Sequence, residues 1–248
     1  MKLSLTWNTA RRVLIQLGRD WRTVAMLLLM PALLTWLLQY MFSEAPVPPT
    51  GPVFPTIGPR IMGLFPIILM FVVTSITMLR ERQSGTLERL MVGPTGKADV
   101  VVGYAFAFGL IGVMQAVIMT AWSAWPLGLD IEGGLVPLGL FMVLDALVGT
   151  ALGLLASAVA RTEFQAVQMM PAAIIPQLLL AGLFVDRSDM PVVLEYISDV
   201  LPVSYSIDGI NNILANNTGA IWSQVVVLVG FIVGSLVLGS LTLRRRTE

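Results

Sequence analysis

The chain contains no cysteine and no histidine, and it has few charged residues. Without those two residue types it cannot build Cys-His or Ser-His-Asp nucleophile systems, histidine zinc sites or thiolate clusters. Charged residues make up 12% of the 248 positions, whereas a soluble domain carries about a quarter. The 15 basic residues balance the 15 acidic ones, so the chain lacks the basic surface that nucleic acids require, and we expect no nucleic-acid partner.

Most residues of the chain are apolar. Hydrophobic residues make up 56% of the chain and the mean hydropathy is +0.83, which is typical of an integral membrane protein. A helix crosses the bilayer with about 20 mostly apolar residues, and six runs of this kind predict six spans. The runs cover residues 24–42, 57–79, 100–122, 135–160, 164–184 and 222–243. We therefore expect an all-α integral membrane fold with one transmembrane domain over residues 1–248.

The positions of Lys and Arg orient the predicted spans. If both termini are cytoplasmic, all but two of the 15 basic residues lie on the cytoplasmic side, and only Arg60 and Arg187 lie outside. This agrees with the positive-inside rule. No small-residue cleavage pattern follows the first run, so we expect it to remain a span and not a cleaved signal peptide. The protein is expected to be a multi-pass protein of the cell membrane.

Residues 1–23 predict a helix that lies along the cytoplasmic membrane surface. Spacings of three and four residues place one apolar face on Trp7, Ala10, Leu14, Leu17 and Trp21. The other face would carry Asn8, Arg11, Arg12 and Arg19. Tryptophan at both ends and arginine on the polar face suit the headgroup region. The helix is either a membrane anchor alone or also a contact surface for a partner.

The stretch RERQSGTLERL, residues 80–90, separates the second and third runs. It has helix-forming residues on both sides of Gly85, and we expect the charges of Glu81, Glu88 and Arg89 to be solvated. The stretch is longer than a connector needs. It is either an ordinary charged loop or a helix that docks into a groove on another protein.

The following MVGPTGKAD is not a phosphate-binding loop. Met91 occupies the position where a Walker motif has its first glycine, and Ala98 follows Lys97 where Ser or Thr is required. We therefore expect no nucleotide site on this chain.

The external segment 185–221 predicts two short amphipathic, re-entrant helices on either side of Leu201-Pro202. The first would have an apolar face of Val192, Val193, Tyr196 and Ile197, and the second one of Tyr205, Ile210 and Ile213. The acids Asp189, Glu195, Asp199 and Asp208 argue against a seventh span.

These features together resemble the ABC-2 type exporter permeases. The most specific match is the pattern E-x-x-x-G-T-L-E-x-L over residues 81–90, after the second of six runs. The external GLFVDRSDMPVVLEYISDVLPVSYSIDGI, with its Leu-Pro-x-x-Tyr element, and the N-terminal amphipathic helix match as well. The drug and antibiotic resistance permeases of the family look closest, because the chain has no large external domain. The charges around Arg187 depart from the usual family sequence.

The resemblance implies a bacterial or archaeal permease that exports a lipophilic compound. Two permease copies, as a homodimer or a heterodimer, would each bind a separate ABC ATPase subunit. ATP and Mg²⁺ would bind that ATPase, and this chain would hold no cofactor and catalyse no bond chemistry.

The resemblance also implies roles for two cytoplasmic segments. Segment 80–99 would contain the coupling helix, seated in a cleft on the ATPase, with Gly85 and Thr86 at the helix start and Arg82 among the residues that pair with the partner. The implied coupling residues are Arg82, Gly85, Thr86, Leu87, Glu88, Arg89, Leu90 and Met91. The N-terminal helix would be the interface helix nearby, through Trp7, Arg11, Arg12 and Leu14. The external short helices would close the exit.

Asp145 is the acid that lies well inside a predicted span. It could contact a cation or drug, or relay protons, or it could make a structural hydrogen bond to Gln115, Ser157 or a neighbouring chain. In the fifth run, two prolines should kink the helix and two methionines offer a soft apolar surface. We predict a substrate path along Asp145, Gln115, Met169, Met170, Pro171, Pro176, Pro202 and Tyr205.

A proton- or ion-coupled secondary transporter that uses Asp145 is the alternative function. It predicts inverted repeats with broken helices in both halves of the chain. We interpret the fifth run, in the second half of the chain, as the broken span, and this interpretation favours the exporter.

Overall fold

The computed structural model describes residues 3–44, 52–86 and 96–242. Within those ranges the regular structure is entirely helical, which confirms the predicted all-α class. The α-helices in chain order are α1 (Leu3–Arg19), α2 (Trp21–Phe42), α3 (Val53–Gln83), α4 (Lys97–Ala124), α5 (Leu135–Val159), α6 (Glu163–Leu180), α7 (Val192–Ser198), α8 (Pro202–Leu214) and α9 (Trp222–Thr242). Two 3₁₀ turns, Arg187–Asp189 and Thr218–Ile221, precede α7 and α9.

Five helices are long and apolar enough to cross a membrane. They are Trp21–Phe42, Val53–Gln83, Asp99–Ala124, Leu135–Val159 and Thr218–Thr242. They confirm five of the six predicted spans. Helix α6 is not among them, because its 18 residues include one glutamate, three glutamines and two prolines. It continues as one helix through both prolines, and its role as a sixth span stays a prediction.

The centre of the bundle is the crossing of α3 and α5. A Cβ atom at Gly149 would lie 2.3 Å from the carbonyl oxygen of Ile67, and one at Gly153 would lie 2.6 Å from that of Phe71. Side chains at these two positions would force the helices apart. The Gly149-x-x-x-Gly153 pattern is thus used within the chain, whereas Gly230 and Gly234 of α9 have nothing within 4 Å.

Helix α1 packs on α4, and its buried face differs from the predicted one. The buried residues are Thr6, Thr9, Ala10, Val13 and Leu17. Gly103 of α4 makes room for this contact, because a Cβ atom there would lie 2.8 Å from Cβ of Thr9. The apolar pattern did not predict that the threonines are buried. Thr9 can be buried because its hydroxyl group donates a hydrogen bond to the carbonyl oxygen of Leu5 over 3.0 Å.

The structure places three of the residues predicted on α1 outside the fully buried apolar face, and their role as interface residues stays a prediction. The side chain of Trp7 is 56% exposed and meets the ring of Phe106 edge-on, with centroids 5.9 Å apart. Leu14 is only partly buried. Arg12, predicted on the polar face, points inward. The hydrophobic period alone could not show this, because the long side chain of Arg12 reaches a polar partner inside the bundle.

The two short helices α7 and α8 differ sharply in burial. Helix α8 is inserted among α3, α5, α6 and α9, with Val203, Ile207, Ile210 and Ile213 buried. The predicted face of α8 is thus confirmed at its two isoleucines. Helix α7 is exposed, and its predicted apolar face does not pack on the described chain, since Val192, Val193 and Tyr196 are 63%, 69% and 70% exposed.

Candidate coupling site and transport path

A buried ion pair joins α1 to the C-terminal end of α3. Both Nη atoms of Arg12 donate to Oε2 of Glu81 over 3.2 Å, and Nη2 also donates to the hydroxyl of Tyr104 in α4 over 2.7 Å. The side chain of Glu81 is 6% exposed. Glu81 was predicted to be solvated, and this is wrong, because the guanidinium of Arg12 supplies the compensating charge that lets the carboxylate be buried.

A second contact joins α1 to the far side of the charged segment. Asp99, in the first turn of α4, is buried. Its Oδ2 accepts from the backbone N–H of Gly96 over 3.0 Å, and its Oδ1 accepts from Thr6 over 3.4 Å. Helix α1 therefore contacts the start of the charged segment at Glu81 and the chain that follows the segment at Asp99.

Glycine ends α3 before the coupling segment. Gly85 has a φ of 70°, a left-handed conformation that suits glycine after a helix. Gly85 and Thr86 were expected at the start of the coupling helix. Gly85 ends α3 and Thr86 is again helical, so a helix that starts here stays a prediction. The hydroxyl of Thr86 lies 2.9 Å from that of Ser84. The remaining predicted coupling residues, Leu87, Glu88, Arg89, Leu90 and Met91, lie outside the described residues.

Arg82 is turned toward its own chain. Its Nη1 donates to the carbonyl oxygen of Ser157 near the end of α5, where unpaired carbonyl groups attract a cation. The structure therefore gives Arg82 a partner within the chain where the resemblance implied an ion pair with the ATPase.

The end of α3 is also fastened to the start of α6. Arg80 donates from Nε and Nη2 to the two carboxylate oxygens of Glu163, both over 2.8 Å. These hydrogen bonds, helped by the charge of Arg80, hold the pKa of Glu163 below its ordinary value. Gln83 donates to the carbonyl oxygen of Arg161 over 2.9 Å. Residues 80–83 at the end of α3 thus contact α1, α5 and the region at the start of α6.

Asp145 lies fully buried in α5, and its partner is not one of those predicted. Its Oδ2 accepts from the hydroxyl of Ser206 in α8 over 2.8 Å, whereas Oδ1 has no hydrogen-bond partner within the described part of the chain. Gln115, a predicted partner, instead donates to the carbonyl oxygen of Leu27 over 3.3 Å. An uncompensated carboxylate at this depth costs about 2.5–3.5 kcal/mol on insertion scales.

Helix α8 brings together half of the predicted path. Pro202 and Tyr205 belong to it, Asp145 accepts from its Ser206, and Met170 packs on the cluster that contains Val203 and Ile207. The other four predicted residues lie elsewhere. Gln115 contacts α2, Met169 packs with Leu79 and Ala166, Pro171 is half-buried and Pro176 is exposed.

Arg187 links α7 to α8 through several polar contacts. It forms ion pairs with Asp199 and Asp208, donates from Nε to Ser198 over 2.8 Å, and lies 5.9 Å from the ring centroid of Tyr205. Burial raises the pKa of Asp208, and the charge of Arg187 opposes that rise. The unusual charges of this segment thus hold α7 and α8 together.

Sequence comparisons agree with this architecture. A model of the ABC-2 type transporter family matches residues 4–215. The probable multidrug ABC transporter permease YbhR of Escherichia coli K12 is 29% identical over 150 residues, which cover 60% of this chain and 41% of that protein. The probable multidrug ABC transporter permease YbhS of the same strain is 26% identical over 169 residues, which cover 67% of this chain and 44% of that protein.

A eukaryotic relative is similar over a comparable stretch. ABC transporter G family member 23 of Dictyostelium discoideum is 27% identical over 165 residues, which cover 65% of this chain and 23% of that protein. The aligned regions thus span less than half the length of each of these relatives. Because the family model covers most of the chain and five of its helices are fit to cross a membrane, the chain is a membrane-spanning member of the ABC-2 type transporter family.

Proposed function

We propose that the chain is the permease subunit of an ATP-driven exporter and that segment 80–97 couples it to a separate ATPase. The observation that carries the proposal is the pair of contacts between α1 and the two ends of that segment. Arg12 holds Glu81 at the start of the segment, and Thr6 contacts Asp99 just after its end. A force applied to the segment would therefore reach α1, α3 and α4 together.

The permeases YbhR and YbhS, which carry multidrug names, support a lipophilic compound as the exported substrate. ATP and Mg²⁺ would bind the partner ATPase, and the transported compound would leave through the external side, beneath α7 and α8. The exported molecule itself would bind within the bundle without being changed chemically.

The proposal includes a second permease copy and two ATPase subunits. Helices α2 and α9 support a paired arrangement, because few of their residues are buried within the chain. In an apolar 18-residue stretch of each helix, only 22% and 17% of the positions are buried. The exposed faces would contact lipid and the second copy. The partner would be an identical chain or a related permease.

The proposal is tested by co-expressing the chain with its candidate ATPase and measuring co-purification and ATP hydrolysis. In the double variant Glu88→Ala/Arg89→Ala we expect loss of partner binding or of the stimulated hydrolysis. The matched control is Asp130→Ala/Glu132→Ala, which changes two exposed charges in the loop between α4 and α5. Equal behaviour of the two double variants would contradict a coupling role for segment 80–97.

The buried carboxylate of Asp145 favours one alternative, a proton- or ion-coupled carrier. That alternative predicts transport in vesicles that contain no ATPase and respond to an imposed proton gradient. The exporter predicts no transport in those vesicles and restored transport when the ATPase and ATP are supplied.

A further inference from the structure

Helix α8 covers two side chains on one face of α5. Phe141 and Asp145 are four residues apart, so they lie on successive turns of the same helix face. The hydroxyl of Ser206 donates to the carboxylate of Asp145. The ring of Phe141 lies against Gly209, where a Cβ atom would be 2.0 Å from Cε1 of the ring. One face of α8 therefore covers a buried carboxylate and a buried aromatic ring together.

Asp145 differs from the other buried acids in what it contacts. Glu81 is paired with the guanidinium of Arg12, and Asp99 accepts from both Gly96 and Thr6. Asp145 is fully buried, yet its described contact is a single neutral hydroxyl, and its Oδ1 is unpartnered in the described part of the chain. A buried carboxylate with so little compensation favours any cation that can reach it.

The surroundings define which cation would suit the site. The walls are apolar, since Met62, Met142 and Ile210 are all buried in the cluster that contains Phe141. Gly63 of α3 borders the carboxylate, and a Cβ atom there would lie 3.3 Å from Oδ2 of Asp145. An aromatic ring face attracts organic cations, and an apolar wall excludes small hydrated ions that cannot shed their water. Charge, ring and apolar walls together match a lipophilic organic cation.

We infer that Asp145 and Phe141 form a binding site for a lipophilic organic cation, uncovered when α8 withdraws from α5. The inference rests on the proposed transport function, because that function requires a compound bound within the bundle, whereas the withdrawal of α8 is taken to occur in the isolated chain without ATP. Helix α8 is not one of the five membrane-crossing helices, and it meets the two side chains through Ser206 and Gly209, which have little or no side chain. In the covered state, the hydroxyl of Ser206 takes the place of the cation.

The test is direct binding of tetraphenylphosphonium to the purified chain in nanodiscs. Neutral triphenylphosphine oxide serves as the comparison ligand of similar shape. We expect saturable binding of the cation, with a Kd at least about tenfold weaker in Asp145→Asn and about threefold weaker in Phe141→Leu. Asp145→Glu should retain binding, and the exposed Glu132→Gln should match the wild type. No saturable binding, or equal Kd values in the wild type and Asp145→Asn, would overturn the inference.

A second measurement uses the unaltered chain, so it does not depend on how a variant folds. Dicyclohexylcarbodiimide modifies carboxyl groups in apolar surroundings, and mass spectrometry locates the modified residue. We expect tetraphenylphosphonium to protect Asp145 from modification, with no protection by triphenylphosphine oxide. Undiminished modification of Asp145 at saturating cation would overturn the inference, and dependence of the modification on pH alone would instead assign Asp145 to proton binding.

These experiments separate the cation site from the coupling proposal. Binding to the chain alone requires no ATPase. Binding that depends on Asp145 together with failure of the ATPase experiment would retain the site and reject the exporter. Coupled ATP hydrolysis together with binding that is indifferent to Asp145→Asn would retain the exporter and reject the site.

Discussion

Arg12 and Glu81 are 69 positions apart in sequence, yet both Nη atoms of Arg12 lie 3.2 Å from the same oxygen of Glu81. The pair joins the N-terminal helix to the last turns of α3, at the start of the charged segment. Tyr104 adds a third helix to the contact by accepting from Arg12 over 2.7 Å. The start of the charged segment is thereby fixed by contacts among three helices.

Replacing Arg12 with alanine should destabilise the chain, because it leaves the carboxylate of Glu81 buried without a cation. We expect a loss of about 1–3 kcal/mol, seen as a lower midpoint of thermal denaturation in detergent. The exposed Arg11→Ala on the same helix is the control and should leave the midpoint unchanged. Arg12→Ala/Glu81→Ala should be more stable than the sum of the two single effects predicts, and strict additivity would contradict the pairing.

The membrane-crossing helices could be predicted from sequence more reliably than their contacts. The predicted second run, 57–79, lies within α3, and the predicted fourth run ends one residue beyond α5, because hydropathy limits the length of a span. Which faces meet could not be predicted, because in uniformly apolar helices every face looks alike. Gly149 and Gly234 sit in identical sequence patterns, yet one touches α3 and the other faces open space.

That difference gives a matched pair of substitutions. Gly149→Ala places a methyl group 2.3 Å from a backbone oxygen of Ile67, so the α3–α5 crossing must open, at a cost of about 1–3 kcal/mol. Gly234→Ala meets nothing within 4 Å and should cost nothing within the single chain. The measurement is thermal denaturation followed by size-exclusion chromatography. Equal losses in the two variants would contradict the observed packing.

Polar partners were the least predictable part of the site. Asp145 was recognised as unusual from its place in an apolar run, but its partner, Ser206, lies 61 positions away in a helix outside the spans. Serine occurs too often in the chain for residue type alone to identify Ser206 as the partner of Asp145. Arg187 did carry a signal, because its charge departs from the family pattern, and the structure gives it two acidic partners.

The Arg80–Glu163 pair predicts a pH dependence of the contact between the end of α3 and the start of α6. The hydrogen bonds from Arg80 lower the pKa of Glu163 in the folded state, so the pair stabilises the fold above the ordinary pKa of glutamate and this stability is lost as the pH falls through the lowered value. Comparing wild type with Glu163→Gln from neutral pH to pH 3, we expect the difference in denaturation midpoint to shrink toward acid. Because the pair is exposed, the corresponding difference in the free energy of unfolding should stay below about 1 kcal/mol. A difference that grows on acidification would contradict the assignment.

The contacts of Arg187 predict the local stability of α7. Arg187→Ala would remove both ion pairs and the hydrogen bond to Ser198. Helix α7 has only seven residues, and a helix of this length is not stable by itself in water. We therefore expect its backbone amides to exchange with deuterium at least about tenfold faster in the variant, which corresponds to about 1.4 kcal/mol of local stability.

The amides of α8 provide the internal comparison for that experiment, because α8 is held by apolar burial as well as by Arg187. Val203, Ile207 and Ile210 are 0% exposed, so exchange in the second half of α8 should change far less than exchange in α7. Asp189→Asn, an exposed change in the same loop, should leave both helices as in the wild type. Faster exchange throughout α8 in Arg187→Ala would instead mean that Arg187 holds both α7 and α8 in place. Removal of this one cation would then also uncover Asp145.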